Sequence, residues 1–126
     1  MNEYIYETAK KIFNTLGSGH SESTYQNALI YELRKNENIS CVIDEITFPI
    51  IYEGIPVGFQ RADIIIQMKN GENIIIELKA INTIQPSVFN QVRRYLNQFN
   101  LFVLSYGIII NFSQDSVDFQ IVPRLS

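Results

Sequence analysis

The chain has 126 residues, 46 % of them apolar, with ten lysines and arginines against thirteen acids and a single cysteine. That length makes one domain around one core, and no run approaches the ~18 consecutive apolar residues of a membrane span. Met1-Asn2-Glu3-Tyr4 is too polar for a secretory signal, so an intracellular setting, cytoplasm or nucleoid or nucleus, is expected. A net charge of −3 excludes coating nucleic acid by electrostatics alone; a local basic patch or bound cations must compensate. Cys41 has no second cysteine for a disulfide or a thiolate metal site and reads as a small buried hydrophobe.

Ile5, Ala9, Ile12, Phe13 and Leu16 recur at helical spacing, and Gly17-Ser18-Gly19 stops that helix. Ser21 is placed to cap a second helix, whose apolar stripe of Tyr25, Ala28, Leu29 and Leu33 runs to about Lys35. Three strand patterns follow as a meander: residues 40–52, a turn at Glu53-Gly54-Ile55-Pro56, residues 57–68, a turn at Asn70-Gly71, and residues 72–80. Pro86 opens a third helix carrying Val88, Val92, Leu96 and Phe99. Residues 101–112 read as a buried strand and 117–122 as an alternating one. The order ααβββαββ predicts an α/β or α+β domain on a central mixed sheet flanked by helices.

The chemistry gathers at strand ends. Ile74-Ile75-Ile76-Glu77-Leu78-Lys79 is too short for a core helix, so it is a buried strand, and alternation puts Glu77 and Lys79 on one face with Leu78 on the other. Asp63 stands at the start of the apolar part of the preceding strand. A two-residue turn at Asn70-Gly71 sets Asp63 opposite Leu78; a bulged three-residue turn sets it opposite Glu77 or Lys79. Two carboxylates and a lysine converge either way. Oxygen donors of this kind suit Mg²⁺ or Mn²⁺, which can polarise a phosphoryl oxygen and acidify a water, while a lysine can stabilise transition-state charge. The bland alternative is a strand-end salt bridge between Asp63 and Lys79 with Glu77 solvated.

Gly19-His20-Ser21-Glu22-Ser23-Thr24-Tyr25 spells G-x-x-E-x-x-Y. With Arg61-Ala62-Asp63, Glu77-Leu78-Lys79-Ala80, Gln91-Val92-Arg93-Arg94-Tyr95-Leu96 and Gly107-Ile108-Ile109-Ile110-Asn111-Phe112, it makes nearly the whole chain resemble the GxxExxY family of the PD-(D/E)XK nuclease superfamily. Ala62 stands where the eponymous proline would. The resemblance implies a restriction-endonuclease-like core and a metal-dependent nuclease acting on nucleic acid, DNA first and RNA as the open alternative. It implies Asp63, Glu77, the Leu78 carbonyl and Glu22 as metal ligands, Lys79 as the catalytic lysine, and Gln91 completing the site. Glu22 and Tyr25, like Gln91 and Tyr95, share a helix face that can meet the catalytic edge. His20 stays outside the expected site. Arg61, Arg94 and Tyr95 are candidate substrate contacts, although Arg61 would also suit a carboxylate such as Glu45, and Arg93 and Arg94 a solvated helix face. One site cuts one strand, so double-strand cleavage calls for a homodimer or a protein partner. The competing reading is a catalytically silent nucleic-acid or protein interaction module that keeps the fold.

Overall fold

The computed structural model describes residues 1–125. Its elements are α1 (Asn2–Leu16), α2 (Glu22–Leu33), β1 (Ile39–Tyr52), β2 (Ile55–Met68), β3 (Asn73–Lys79), α3 (Pro86–Gln98), β4 (Tyr106–Phe112) and β5 (Val117–Pro123). They build one five-stranded sheet in the order β1-β2-β3-β4-β5. Every neighbouring pair is antiparallel except β3 and β4, which run parallel because α3 carries the chain back across the sheet. The mixed sheet flanked by helices and the ααβββαββ order agree with the sequence reading.

Alternation along the strands divides the core in two. Ile64, Ile66, Ile74, Ile76, Leu78, Ile108, Ile110 and Phe112 face α1 and α2, meeting Ile5, Ala9, Ile12, Leu29 and Leu33. Ile65, Ile75 and Ile109 face α3 through Val88, Val92, Tyr95 and Leu96. Gly107 lies directly under α3: a Cβ there would come 2.5 Å from Val92 Cγ1, so only glycine lets the helix sit this close.

Two boundaries and one residue differ from expectation. The apolar run from Leu101 does not enter the sheet before Tyr106; Leu104 is buried and Phe102 half-buried against the α3 side of the core, while Leu101 and Val103 are exposed. α2 ends at Leu33, two residues short. Cys41 is exposed rather than buried, because the register of edge strand β1 slips between Ile39 and Cys41 and turns the thiol outward.

Candidate active site

Met68 donates its N–H to the Glu72 carbonyl at 2.8 Å, and Gly71 closes the turn onto Met68, leaving Lys69-Asn70-Gly71 as a three-residue loop. The register that follows, from Gln67↔Asn73 to Ile64↔Ile76, brings Asp63 level with Glu77. Of the two turn lengths the sequence left open, the longer is present.

Beyond Ile64 the pairing of β2 with β3 stops. Leu78 has the ladder parity whose N–H points toward β2, and with no backbone partner there it donates to Asp63 Oδ2 at 3.0 Å. Asp63 is also missing from the β1 ladder, which passes from Asp44↔Ile64 to Ile46↔Ala62 around Glu45, a residue at φ 52°. Both strands change facing there: Ile43 and Ile46 both pack toward α3 although they are three positions apart, an odd step that regular alternation would put on opposite faces, and Ala62 packs with Ile65 across the same step. Such local irregularity re-aims side chains. The Asp63 carbonyl, out of the ladder, accepts a bond from Gln26 Nε2 of α2 at 3.0 Å.

Glu77 is 3 % exposed, and its Oε1 lies 3.4 Å from Lys79 Nζ. The ion pair is thus Glu77–Lys79, and the alternative of an Asp63–Lys79 bridge beside a solvated Glu77 is not what forms. Glu77 Oε2 is buried with no hydrogen-bond partner. Burial, and next the Asp63 charge, push the Glu77 carboxyl up to about 8, with Lys79 opposing. Burial also raises Asp63, opposed by the Leu78 N–H, Glu77, Lys79 and Arg61. A buried and a half-buried carboxyl short of positive charge, the buried one with an orphaned oxygen, fit a hard divalent cation. The Leu78 carbonyl, on the same strand edge as its N–H, adds a neutral oxygen donor.

Around this pair the remaining expectations sort themselves. Gln91 Nε2 donates to Tyr95 Oη at 2.7 Å, and Tyr95 donates to the Arg61 carbonyl at 3.1 Å. Burial, then the Glu77 charge, raises the Tyr95 phenol to about 12. At 3 % exposure with its hydroxyl engaged, Tyr95 offers little surface for the direct substrate contact expected of it. Glu22 is exposed in the first turn of α2, and among the described residues no group of three acids, histidines or cysteines is placed to hold a metal ion. Glu22 therefore does not join Asp63 and Glu77 as a ligand in this arrangement. Its motif partner Tyr25 turns inward instead: the ring stacks on Phe112 with centroids 4.2 Å apart, and the hydroxyl donates to the Gly17 carbonyl at 2.6 Å. His20 Nε2 meets the Leu16 carbonyl at 2.9 Å. Arg61, Arg93 and Arg94 are exposed, and the four ion pairs among the described residues include none of them, so Arg61 does not pair with Glu45. A groove of about 470 Å³ between α3 and the β1–β2 hairpin, bordered by Gln60, Gln91, Arg94 and Gln98, leads to Tyr95.

Two residues that shape the site carry no sequence signal. Gln26 is a neutral amide inside a motif helix. Asn111, fully buried and level with Lys79 in the ladder, donates to the Ile81 carbonyl at 2.9 Å and to Asp118 Oδ2 at 3.0 Å, and accepts from the Ile81 N–H at 3.0 Å. It clamps the chain as it leaves Lys79.

The profile of the PD-(D/E)XK nuclease superfamily matches residues 1–122. No curated protein matches. Thirteen solved chains do, among them the crystal structure of SSO0001, at 22 % identity and a TM-score of 0.63 over 82 % of this chain and 51 % of that one. The chain spans about half the length of SSO0001, and the likeness is one of fold. No helix among the described residues is long and apolar enough to cross a membrane.

Proposed function

As the chain belongs to the PD-(D/E)XK nuclease superfamily, we propose that it is a metal-dependent nuclease hydrolysing phosphodiester bonds, with DNA as the substrate to test first. The observation that carries this reading is the buried Glu77 beside the half-buried Asp63, with the unpartnered Glu77 Oε2 and with Lys79 held next to it. A structural ion pair has no use for an orphaned buried oxygen, which costs about 1–3 kcal/mol.

Asp63, Glu77 and the Leu78 carbonyl would hold Mg²⁺ or Mn²⁺, which supplies polarisation of a phosphoryl oxygen and a more acidic water. The Leu78 N–H fixes the orientation of the Asp63 carboxylate, and Gln26 fixes its backbone. Lys79, oriented by Glu77, donates to the attacking water or to a non-bridging oxygen as charge builds there. The water gives up a proton to solvent as its oxygen bonds to phosphorus, one ester P–O bond breaks, and the leaving oxygen takes up a proton from solvent. Gln91 and Tyr95 hold the Arg61 backbone; Arg94 on the rim of the groove and Arg61 near Asp63, neither in an ion pair among the described residues, would take flanking phosphates. Glu22, one helical turn before Gln26, is proposed to reach the site only when substrate or metal is bound. Membership of the GxxExxY family within the superfamily rests on the motif at Gly19, Glu22 and Tyr25, and an intracellular location goes with the substrate.

The test is cleavage of single- and double-stranded DNA and RNA with Mg²⁺ or Mn²⁺, beside Asp63→Ala and Lys79→Ala. Metal-dependent cutting lost in both variants is the expected result. Equal behaviour of all three proteins on every polymer would favour the second reading, a silent interaction module, which the exposed apolar side chains of the β1–β2 hairpin would suit.

A further inference from the structure

Lys79, Asn111 and Asp118 stand abreast on β3, β4 and β5, since Lys79 pairs with Asn111 and Asn111 with Asp118 in the two ladders. All three have the strand parity of Ile75, Ile109 and Val122, which face α3. Two strand spacings, about 10 Å, therefore separate the backbones of Lys79 and Asp118. Asn111 Nδ2 holds Asp118 Oδ2 at 3.0 Å, whereas Oδ1 has no hydrogen bond and the carboxylate no ion pair among the described residues. A cavity of about 340 Å³ opens beside it, lined by Asn82, Thr83, Ile84, Phe89, Asp118 and Gln120. Ile84 and Phe89, the latter in the opening turn of α3, are half-buried against the core and leave part of their surface to the cavity. Asn82 and Gln120 are exposed and bring amides to its rim.

An aromatic ring, an aliphatic side chain, two amides and a carboxylate with one oxygen free together suit a flat, neutral ring that carries an N–H₂ donor. The volume lies at the lower end for a small-ligand pocket, enough for one base and too little for a base pair within a duplex. Building on the nuclease reading, we propose that this cavity receives the unpaired base of a nucleotide close to the scissile phosphate and selects bases with an exocyclic amino group. Asp118 Oδ1 accepts from that amino group, as carboxylates do from N4 of cytosine. Phe89 supplies the aromatic surface against which the base packs. Gln120, two residues along the same face of β5, adds the side-chain amide that suits adenine. Thymine and uracil have a carbonyl oxygen where cytosine has its amine, and that oxygen would meet the carboxylate and be repelled. Phosphate is the less suitable occupant, because the one charge lining the cavity is negative. A divalent cation would find a single carboxylate there, and among the described residues no three acids, histidines or cysteines gather to hold one. The strand bound is accordingly single, or unpaired at the point of cutting.

Fluorescence anisotropy of the full chain with short labelled oligo(dC), oligo(dA) and oligo(dT), in EDTA and again with Ca²⁺, tests the assignment. Oligo(dC) and oligo(dA) should bind at least ~5-fold more tightly than oligo(dT). Asp118→Asn should bring the three within about twofold of one another without weakening oligo(dT), and the bond from Asn111 survives because asparagine keeps an acceptor oxygen. Phe89→Leu should weaken all three about tenfold. Thermal melting establishes that both variants fold, so a shift in base preference is not a loss of structure. Equal affinity of the wild type for the three strands overturns the proposal, as does a preference that persists in Asp118→Asn, or no binding of any strand under either condition. Metal-dependent cleavage of the same strands is scored in parallel. Cutting that accompanies equal binding removes the base pocket and leaves the nuclease standing. A preference abolished by Asp118→Asn without any cutting removes the nuclease and leaves the cavity as a reader of unpaired bases.

Discussion

Glu77 and Lys79 lie two residues apart on one face of β3, with Oε1 3.4 Å from Nζ, while the other oxygen of the same carboxylate is buried without a donor. One lysine therefore serves half of a carboxyl group, and Asp63 across the splayed strands adds a second charge to be balanced.

That imbalance makes stability depend on pH. The Glu77 carboxyl is pushed from 4.5 to about 8, so between these values the folded chain keeps a proton that the unfolded chain has released. Its contribution is fully present below about 4.5 and is lost as pH rises through about 8, an effect of order a few kcal/mol. Melting in EDTA should show Tm falling from about pH 5 to about pH 8, with the slope flattened in Glu77→Gln. Millimolar Mg²⁺ or Mn²⁺ should recover most of the loss at high pH by mass action. A wild-type Tm that ignores both pH and cation counts against the Asp63–Glu77 pair as a metal site.

Gln26 reaches Asp63 from a different layer of the fold. Replacing it by leucine removes one bond to a part-buried carbonyl, about 1 kcal/mol, so global stability should change little. The gain in Tm from Mn²⁺ should shrink several-fold, because the Asp63 backbone is then free to move. An undiminished Mn²⁺ response would reduce Gln26 to a packing residue.

Asn111 satisfies three polar groups at once, on Ile81 and Asp118. Asn111→Leu leaves them unpaired in a half-buried place and should cost about 1–3 kcal/mol by urea denaturation. The same change in an Asp118→Asn background should cost less, since the orphaned charge is gone. Equal costs would mean that Asp118 is already well hydrated.

Gly107→Ala should destabilise by about 1–3 kcal/mol, the usual result of overpacking, because the new methyl meets Val92. Val92→Ala costs stability of its own, yet the pair of substitutions should be less damaging than the sum. A double-mutant cycle reads that coupling, and strict additivity would show α3 shifting away freely.

Much of this was legible in the residues. The isoleucine runs around Asp63 and before Glu77 can only be buried strands, and the step of two between Glu77 and Lys79 puts them together whatever the tertiary structure. The spacing of Val88, Val92, Leu96 and Phe99 fixes the buried face of α3 for a similar reason. Other features depended on distant contacts. Residues 101–105 look as apolar as a strand, but Leu104 finds its burial against the α3 side of the core before the ladder begins. Tyr25 and Glu22 share a motif and a helix turn, yet Phe112 claims the tyrosine and leaves the acid outside. Gln26 and Asn111 are neutral amides, whose role exists only once a carbonyl arrives beside them.

The three-residue loop Lys69-Asn70-Gly71 lies on the surface, at the opposite end of β2 and β3 from the carboxylates. Since strand faces alternate with every residue, taking out one of the three would slide β3 past β2 by a position and exchange inward for outward side chains along its length. Glu77 would leave Asp63 and Leu78 would take its place. A deletion in a solvent-exposed turn would thus be, for this protein, an active-site mutation, and homologous chains could gain or lose the paired carboxylates without altering any residue that forms them.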